Sequence, residues 1–397
     1  MNGGPPGTLR GAERQIAELL ARHGVLTRRD LARHSGLPLT TVTGAAARLR
    51  ARGVVEEVRD APSVPHRPGR PASALRLTPR KSLAGAVVIT HRVARAALVS
   101  ADGRLSGRVE EPMAWLQCPD IVAECRRLIA EARRRAGDTT PLERIVVGLP
   151  VPLKAGSGIS LLEEPPDGAP RESVPATRWL FQDIAPQLAA AFGVPATVEN
   201  VCNLGALGEL AFGAARGRRH MIYLHLVIGM GAGLVVNGEL VHGASGLAGE
   251  LSHLHVDPAG PMCACGARGC LGTVATADHI LDAARPLYGP GVSIYDVLGL
   301  AAQGDTAVRR VLEDVGRLVA TSLAPACVML NPEMVVIDGN LGPAAASLID
   351  GLRDELRRHM PTGTFQALTF TLGQLGDTAE LTGAARFLSN PGPSLPR

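Results

Sequence analysis

The chain has 397 residues, of which 46% are hydrophobic and 20% charged, so it holds enough apolar material for two or three packed domains and is not wholly disordered. Its net charge of +4 is uneven: residues 1–80 contain 14 Arg and no Lys against 6 Asp and Glu, a net charge of +8, whereas the remainder contains 27 basic and 31 acidic residues, a net charge of −4. A polyanion is therefore expected to bind the first fifth of the chain.

No apolar run approaches the roughly 20 residues that span a bilayer, and the first ten residues, MNGGPPGTLR, lack the basic-then-apolar order of a secretion signal. The sequence therefore predicts a cytoplasmic protein with no membrane partner. Three of the seven cysteines, Cys263, Cys265 and Cys270, fall within eight positions, which favours metal ligation over a disulfide framework. The other four are predicted to be buried thiols.

The first predicted elements are two helices near the amino terminus. From Leu9, the segment LRGAERQIAELLARHG has apolar residues at helical spacing and ends at Gly24. In the next segment, TRRDLARHSG, Thr27 and Asp30 have the spacing of a capping box, and Gly36 ends a short second helix. A tight turn is expected after this glycine.

A third helix is predicted over roughly residues 38–52. Its apolar face comprises Val42, Ala45, Ala46 and Leu49, and its opposite face carries Thr40, Thr41, Thr43, Arg48 and Arg50. Two helices separated by a glycine turn indicate a helix-turn-helix, in which the short threonines approach base edges and the two arginines hold phosphates. The alternative is a generic three-helix domain whose arginines form a solvated face.

Two short strands are predicted after the helices. The segments GVVEEVRD and SALRLTP flank APSVPHRPGRPA, a hairpin too long and too rich in proline for a simple turn. This hairpin is the expected wing, with Arg67 and Arg70 at its tip, where proline stiffening can hold arginines in a minor groove. The order of helices, glycine turn and Arg-tipped hairpin favours DNA binding over the generic alternative.

From about Leu83, strand-like apolar runs alternate with helical stretches: GAVVI, ARAALVS, IVAECRRLIAEARRR and RIVVGLP. This alternation predicts an α/β domain. Further on, HMIYLHLVIGMGAGLVVNGELV predicts a buried strand, a glycine turn that contains Gly229, Gly231 and Gly233, and a second strand. Such glycines let the backbone approach a phosphate or pack closely, and a conformational role is favoured here.

The segment HLHVDPAGPMCACGARGC predicts a metal site. It supplies one imidazole, from His253, and three thiolates, from Cys263, Cys265 and Cys270. Four such ligands complete a closed tetrahedral zinc site, which is structural because no position is left for water. The alternative is three unrelated thiols beside a surface histidine.

With this motif in place, the sequence resembles the ROK family (repressors, open reading frames and sugar kinases) over roughly residues 83–390. Further landmarks of the resemblance are GLPVP (148–152), TVENVCNLGALGE (197–209), GASGLAGELSH (243–253) and VVIDGNLG (335–342). The resemblance implies two actin-like, ribonuclease-H-like lobes with sugar and ATP in the cleft between them. Members with an added winged helix are transcriptional regulators, so we expect a reader domain over residues 9–80 and a kinase-like sensor and oligomerisation domain over residues 81–390.

Two departures from the family's kinases bear on activity. Their Asp-x-Gly-x-Thr turn, which handles ATP phosphates and magnesium, is replaced by the stretch from Val88 to Arg92. Their Glu-Asn-Asp, which supplies the catalytic base, reads Glu199, Asn200, Val201 here. Valine cannot accept a proton, so no catalytic residue is predicted and kinase activity is expected to be lost.

By the same resemblance, Asn200, Glu250 and His253 match residues that hydrogen-bond sugar hydroxyls, with one ring nitrogen of His253 on zinc and the other on ligand. Two polar anchors are replaced, by Val201 and by Gly272. An ordinary hexose is therefore expected to bind weakly or not at all, and the cleft takes a less polar ligand or none. A role for Asn200 and Glu250 in loop structure alone is the alternative.

The sequence therefore predicts a repressor that binds a double-stranded DNA operator as a homodimer or homotetramer, with a structural zinc and a sugar or sugar-derived effector. Two alternatives stay open. One is a ROK sugar kinase with a fused DNA-binding head, and the other is a DNA-binding protein with a ligand-blind dimerisation module.

Overall fold

The computed structural model describes residues 11–23, 25–52, 54–58, 74–77, 82–113, 118–154, 179, 182–263 and 265–389. The chain divides into two compact units, Met1–Lys81 and Ser82–Arg397. Within the described ranges, no helix has both the length and the apolar character needed to cross a membrane.

The first unit consists of helices around a small sheet. Its elements are α1 (Ala12–His23), β1 (Leu26–Thr27), α2 (Arg28–Ser35), α3 (Leu39–Ala51), β2 (Val55–Val58) and β3 (Ala74–Leu77). Strand β3 lies between β1 and β2 and is antiparallel to both. The core is formed by Ile16, Leu20, Leu31, Val42, Ala45, Ala46, Leu49, Val55 and Leu75. The predicted apolar face of the third helix is therefore buried.

Local hydrogen bonds fix both ends of α2. The Thr27 hydroxyl accepts a bond from the backbone N–H of Asp30 at 3.2 Å, and the Asp30 carboxylate accepts one from the backbone N–H of Thr27 at 3.2 Å. This is the predicted capping box. At the other end Gly36 has a φ of 70°, which favours glycine, and its N–H donates to the carbonyl of Ala32.

The change Thr27→Ala is expected to lower the local stability of the first unit by about 1 kcal/mol, because it removes the cap from an orphan N–H of the helix. Amide hydrogen exchange of α2 peptides in the full chain measures this loss. Thr41→Ala is the control, because Thr41 is exposed on α3 and caps no helix, and it should change exchange by less than about 0.5 kcal/mol. Equal protection in Thr27→Ala and the wild type would contradict the role of the cap.

The second unit begins with a lobe built on five strands. Its elements are β4 (Leu83–Ile89), β5 (Val93–Ser100), β6 (Leu105–Pro112), α4 (Ile121–Ala136), β7 (Arg144–Leu149), α5 (Ile184–Phe192), β8 (Ala196–Asn200) and α6 (Val201–Phe212). The sheet has the order β6-β5-β4-β7-β8, in which β4, β7 and β8 are parallel and β5 and β6 are antiparallel to their neighbours. Strand β4 is buried along its whole length, as its continuous apolar run predicts.

A second lobe follows. Its elements are β9 (Met221–His225), β10 (Gly231–Val236), β11 (Glu239–Leu240), α7 (Leu271–Val274), α8 (Ala277–Tyr288), α9 (Ile294–Gln303), α10 (Thr306–Leu330), β12 (Met334–Ile337), α11 (Ala345–His359), α12 (Thr362–Ala367) and β13 (Thr369–Leu372). Two last helices, α13 (Ala379–Gly383) and α14 (Arg386–Ser389), return to pack in the core of the first lobe. The sheet has the order β11-β10-β9-β12-β13, with β9, β12 and β13 parallel. Both lobes therefore place their strands in the same order, with the first strand of each lobe at the centre.

Helix α6 lies between the two sheets. Val201, Cys202 and Leu204 pack with the first sheet, in a core that also contains Val88 and Val146. Ala206 packs with the second sheet, in a core that contains Tyr223 and Val235. Because α6 starts directly after β8, the residues at this junction lie where the two lobes meet.

Candidate functional site

A cleft between the two lobes of the second unit has an empty volume of about 550 Å³, open solvent included. The described residues that line it include Thr90, His91, Asn200, Val201, His225 and Glu250. Two of the three predicted sugar contacts, Asn200 and Glu250, therefore face this cleft. His253 is not among the described residues that line it.

Asn200 has structural partners as well as a position in the cleft. Its side-chain oxygen accepts a bond from the backbone N–H of Cys202 at 2.8 Å and so caps α6. Its side-chain nitrogen donates to the carbonyl of Val151 at 3.0 Å. The amide is thus held in one orientation by its own loop, which agrees with the structural alternative raised by the sequence.

Glu250 differs from Asn200 in this respect. No hydrogen bond or ion pair joins its carboxylate to any residue in the described ranges. Burial raises the pKa of this carboxyl above its ordinary value. A carboxyl group in this environment gains from a ligand hydroxyl or amine, which would replace the hydration that it loses in the cleft.

Glu199, at the end of β8, is 7% exposed and has three donors within 2.8 Å. They are the backbone N–H of Asn200, the side-chain amide of Asn203 and Nε2 of His242. The hydrogen bond from His242 to Glu199 raises the pKa of the imidazole above 6.5, against its partial burial. His242 directly precedes the GASGLAGELSH segment and was not among the predicted site residues.

This pair is expected to contribute more to the stability of the second unit in acid than in base. A histidine whose folded pKa is raised contributes its full stability below its unfolded pKa of 6.5, and that contribution is lost as the pH rises through the folded pKa. The difference in unfolding free energy between wild type and His242→Asn should therefore be larger at about pH 6 than at about pH 9. His279→Asn, at an exposed position on α8, is the control. A difference that does not change with pH would contradict the ion pair.

The four predicted metal ligands come together. One possible ligand atom from each of His253, Cys263, Cys265 and Cys270 lies within 4.8 Å of the others. The Cys263 sulfur is 3.5 Å from Nδ1 of His253, and the Cys265 and Cys270 sulfurs are 3.6 Å apart. A tetrahedral zinc with Zn–S bonds of about 2.3 Å and a Zn–N bond of about 2.0 Å requires separations of roughly 3.8 Å between sulfurs and 3.5 Å between sulfur and nitrogen. These two separations are close to those that a bound zinc requires, so the four side chains are placed to hold a metal ion.

Close backbone packing forms the loop of this cluster. A Cβ atom at Gly269, whose φ is 61°, would lie 1.6 Å from the carbonyl oxygen of Asp257. Cys270 immediately precedes α7, and His253 ends a short 3-10 turn. The remaining cysteines, Cys118, Cys125, Cys202 and Cys327, are buried, as predicted.

In the first unit, the predicted DNA contacts on α3, which are Thr40, Thr41, Thr43, Arg48 and Arg50, are all exposed. Both arginines form ion pairs within the unit that the sequence did not predict. Arg48 donates to Glu13 at 2.7 Å, and Arg50 lies 3.3 Å from Glu57. The wing residues Arg67 and Arg70 lie outside the described residues.

Comparison with known families identifies both units. Residues 121–390, more than half of the chain, match the model of the ROK family. The chain belongs to the ROK family. Residues 9–56 match a winged helix-turn-helix DNA-binding model, so this ROK protein carries a winged helix ahead of its ROK domain.

Relatives of the ROK domain include repressors and kinases. The xylose repressor of Bacillus subtilis is 28% identical over 50% of this chain and 53% of the repressor, so the match spans about half of that relative. The glucokinase of Thermotoga maritima is 31% identical over 73% of this chain and 92% of the glucokinase. A crystal structure of a ROK family transcriptional regulator, a homologue of the Escherichia coli MLC protein, has a TM-score of 0.75 and 25% identity over 95% of this chain and 96% of that one. The predicted fold, a winged helix plus a two-lobed actin-like domain, is confirmed.

The first-strand turn of this ROK domain is closed by its own side chain. The Thr90 hydroxyl accepts bonds from the backbone N–H groups of Arg92 and Val93, at 3.4 and 3.2 Å. His91, from the same turn, lies opposite the turn of the other lobe that contains Gly229. A Cβ atom added to Gly229 would be 3.2 Å from Nδ1 of His91. Burial lowers the pKa of His91, and the nearby His225 lowers it further.

The prediction that one turn contains all three glycines is wrong in part. Gly229 lies in the turn, with a φ of 93°, but Gly231 and Gly233 belong to strand β10. Both face α6. A Cβ at Gly231 would be 2.7 Å from the sulfur of Cys202, and one at Gly233 would be 2.6 Å from the carbonyl oxygen of that cysteine. These two glycines allow the helix to pack on the strand.

Proposed function

We propose that this ROK protein is a DNA-binding transcriptional repressor whose cleft binds a sugar or sugar-derived effector without phosphorylating it. One observation supports the proposal most strongly. The same chain contains a winged helix with an exposed threonine face and a kinase-like cleft with Val201 at the position of the kinases' catalytic base. The relatives named repressors and regulators support the first half of the proposal.

DNA reading is assigned to α3 and the wing. Thr40, Thr41 and Thr43 would contact base edges in the major groove, because short side chains let the helix approach the bases. Arg48 and Arg50 would contact phosphates. Their exposed ion pairs with Glu13 and Glu57 contribute little to stability, so exchanging a carboxylate for a phosphate costs little. Arg67 and Arg70 would enter the minor groove.

Two positions in the first lobe support the loss of kinase activity. Val201 lines the cleft and packs into the core, 4% exposed, where the family's kinases have an aspartate. In the turn after the first strand, the backbone N–H groups of Arg92 and Val93 are bonded to the Thr90 hydroxyl. These two positions therefore offer neither a proton acceptor nor a phosphate-binding loop.

The effector would bind between the lobes, with Asn200 and Glu250 as its polar contacts. Glu250 is the stronger anchor, because its carboxyl has no partner among the residues that the structure describes. His253 would act chiefly as a zinc ligand with Cys263, Cys265 and Cys270. Bound zinc would stabilise a loop rich in glycine and proline. The protein would be a cytoplasmic homodimer or homotetramer, and effector binding would change the relative positions of two of its winged-helix domains.

A second candidate function is supported by the similarity to a kinase. The similarity to the Thermotoga maritima glucokinase extends over 73% of this chain, so a sugar kinase with a DNA-binding head is the second candidate. The two functions differ in whether ATP is consumed.

DNA binding is tested with full-length protein and labelled DNA from its own promoter region, against random DNA of equal length. We expect preference for the promoter, and an affinity that falls with salt with a logarithmic slope of about 0.9 per phosphate contact. The double change Thr40→Glu, Thr41→Glu should abolish binding by charge repulsion. Thr321→Glu, at an exposed position on α10, is the matched control and should bind as wild type does. No promoter preference, or a flat salt dependence, would exclude the function.

Effector binding is tested on the same protein with a panel of hexoses, pentoses and N-acetylhexosamines. A sugar that raises the melting temperature of wild type but not of Glu250→Gln supports the assigned cleft. No response to any sugar supports the ligand-blind alternative.

A further inference from the structure

Three ionisable side chains without a role in the function proposed above meet where the second sheet adjoins α13. They are His225 at the end of β9, Asp338 directly after β12, and Glu380 in α13. One possible ligand atom from each lies within 4.8 Å of the others. Asp338 and Glu380 are 1% and 2% exposed, and His225 lines the cleft. We call this group the buried triad.

Hydrogen bonds orient the histidine of the buried triad. Nε2 of His225 is 2.9 Å from the carbonyl oxygen of Ile228, and since a carbonyl only accepts, this nitrogen carries a proton. Nδ1 is then the nitrogen that faces Asp338, at 2.6 Å from a carboxylate oxygen. At this separation the two atoms share a proton, and a metal ion bound to both would replace that proton and hold the atoms about 3 Å apart. Metal-binding histidines commonly donate their second N–H to a backbone carbonyl, as His225 does.

The surroundings of Glu380 favour a metal ion over a proton at this site. Asp338 has donors of its own, the backbone N–H and side-chain amide of Asn340. Glu380 has none: no hydrogen bond or ion pair links its carboxylate to another residue that the structure describes. The neighbouring Arg95 is paired with Glu110 at 2.7 Å. A proton on His225 supplies one positive charge for two buried carboxylates, whereas a divalent ion balances both at once.

A second orphan group lies nearby. Tyr223 is on the same face of β9 as His225, two residues earlier, and is 1% exposed. Its hydroxyl has no hydrogen-bond partner among the described residues. Asp338 and Glu380 are the charges that act on this hydroxyl most strongly. A buried hydroxyl without a partner is unusual in a native core and indicates a missing ion or water close to it.

We propose that the buried triad is a binding site for a divalent metal ion of the manganese class, separate from the cysteine cluster. Two carboxylates and one imidazole are hard or intermediate donors, which suit Mn²⁺, whereas thiolates select zinc. The ion would enter from the cleft past His225. It would fix the start of the turn that carries Gly229, and so stiffen the wall of the cleft facing His91.

The proposal is tested on the full-length, zinc-loaded protein by titration with Mn²⁺, using the electron paramagnetic resonance signal of the free ion. We expect wild type to remove one equivalent of free Mn²⁺. Glu380→Gln and Asp338→Asn should weaken binding by at least about tenfold, because each removes a ligand charge. Glu355→Gln is the matched control: it removes a carboxylate from an exposed pair with His359 and should bind as wild type does.

Melting curves show whether each variant is folded. Mn²⁺ should raise the melting temperature of wild type and of Glu355→Gln, but not that of Glu380→Gln. If the triad variants do not fold, crystals of wild type grown with Mn²⁺ decide the matter, since the anomalous difference map must have its peak between His225, Asp338 and Glu380. Wild type that leaves the free Mn²⁺ signal unchanged, or a peak elsewhere only, would overturn the proposal.

Discussion

Full-length protein supplied with ATP, Mg²⁺ and a panel of hexoses is expected to release ADP at least about 10⁴-fold more slowly than a ROK glucokinase assayed in parallel. The physical reason is the loss of two independent contributions. Val201 cannot take the proton of a sugar hydroxyl, and the turn after the first strand has neither the carboxylate nor the glycines of the kinases' Asp-x-Gly-x-Thr. The N–H groups of Arg92 and Val93 in this turn are bonded to Thr90. A coupled assay of ADP release measures the rate.

Two variants make this prediction sharper. Val201→Asp restores a carboxylate in the cleft and should improve sugar affinity, but turnover should stay near background because the phosphate side is unchanged. Glu250→Gln should leave the background rate unaltered. Sustained turnover by wild type that Glu250→Gln removes would mean that Glu250 replaces the lost base, and the protein would then be a kinase with a DNA-binding head.

Features set by neighbours along the chain could be predicted from the sequence. The capping box joins Thr27 to Asp30, three residues apart, and the helix that it starts ends at Gly36, so one short segment contains the whole signal. The apolar face of α3 follows from its helical period. Strand β6 was not predicted, because it lies at the edge of its sheet and its largely exposed residues have little apolar alternation.

Features set by distant parts of the chain could not be predicted. Gly231 and Gly233 look like turn residues until α6 is packed against them. His225 and Asp338 meet because β9 and β12 are parallel neighbours, with Leu224 opposite Ile337. Glu380 reaches them from a helix near the end of the chain. No local spacing rule relates these three residues, whereas the cysteine cluster was predictable because its thiols lie within eight positions.

Removal of zinc is expected to have the largest effect on stability. Cys270 is completely buried at the start of α7, and its sulfur is 3.6 Å from that of Cys265. Structural zinc supplies on the order of 10 kcal/mol to small zinc domains, so Cys270→Ser should lower the unfolding free energy of the second unit by about 3 kcal/mol or more and abolish bound zinc. Chemical unfolding and metal analysis of the purified full chain measure both quantities.

Chelation separates the metal from the packing of the thiol. A strong chelator should lower the stability of wild type to that of Cys270→Ser and leave the variant unchanged, because the variant has no ion to lose. Cys327→Ala is the control: its thiol is equally buried but lies in the apolar core, so the change should cost about 1 kcal/mol and the variant should keep its zinc and its response to the chelator. Wild-type protein that contains no zinc as purified, and gains no stability when zinc is added, would contradict the assignment of His253 and the three cysteines as ligands. A stable loop without metal would require another source of order, since the backbone crossing at Gly269 and Asp257 buries little apolar surface of its own.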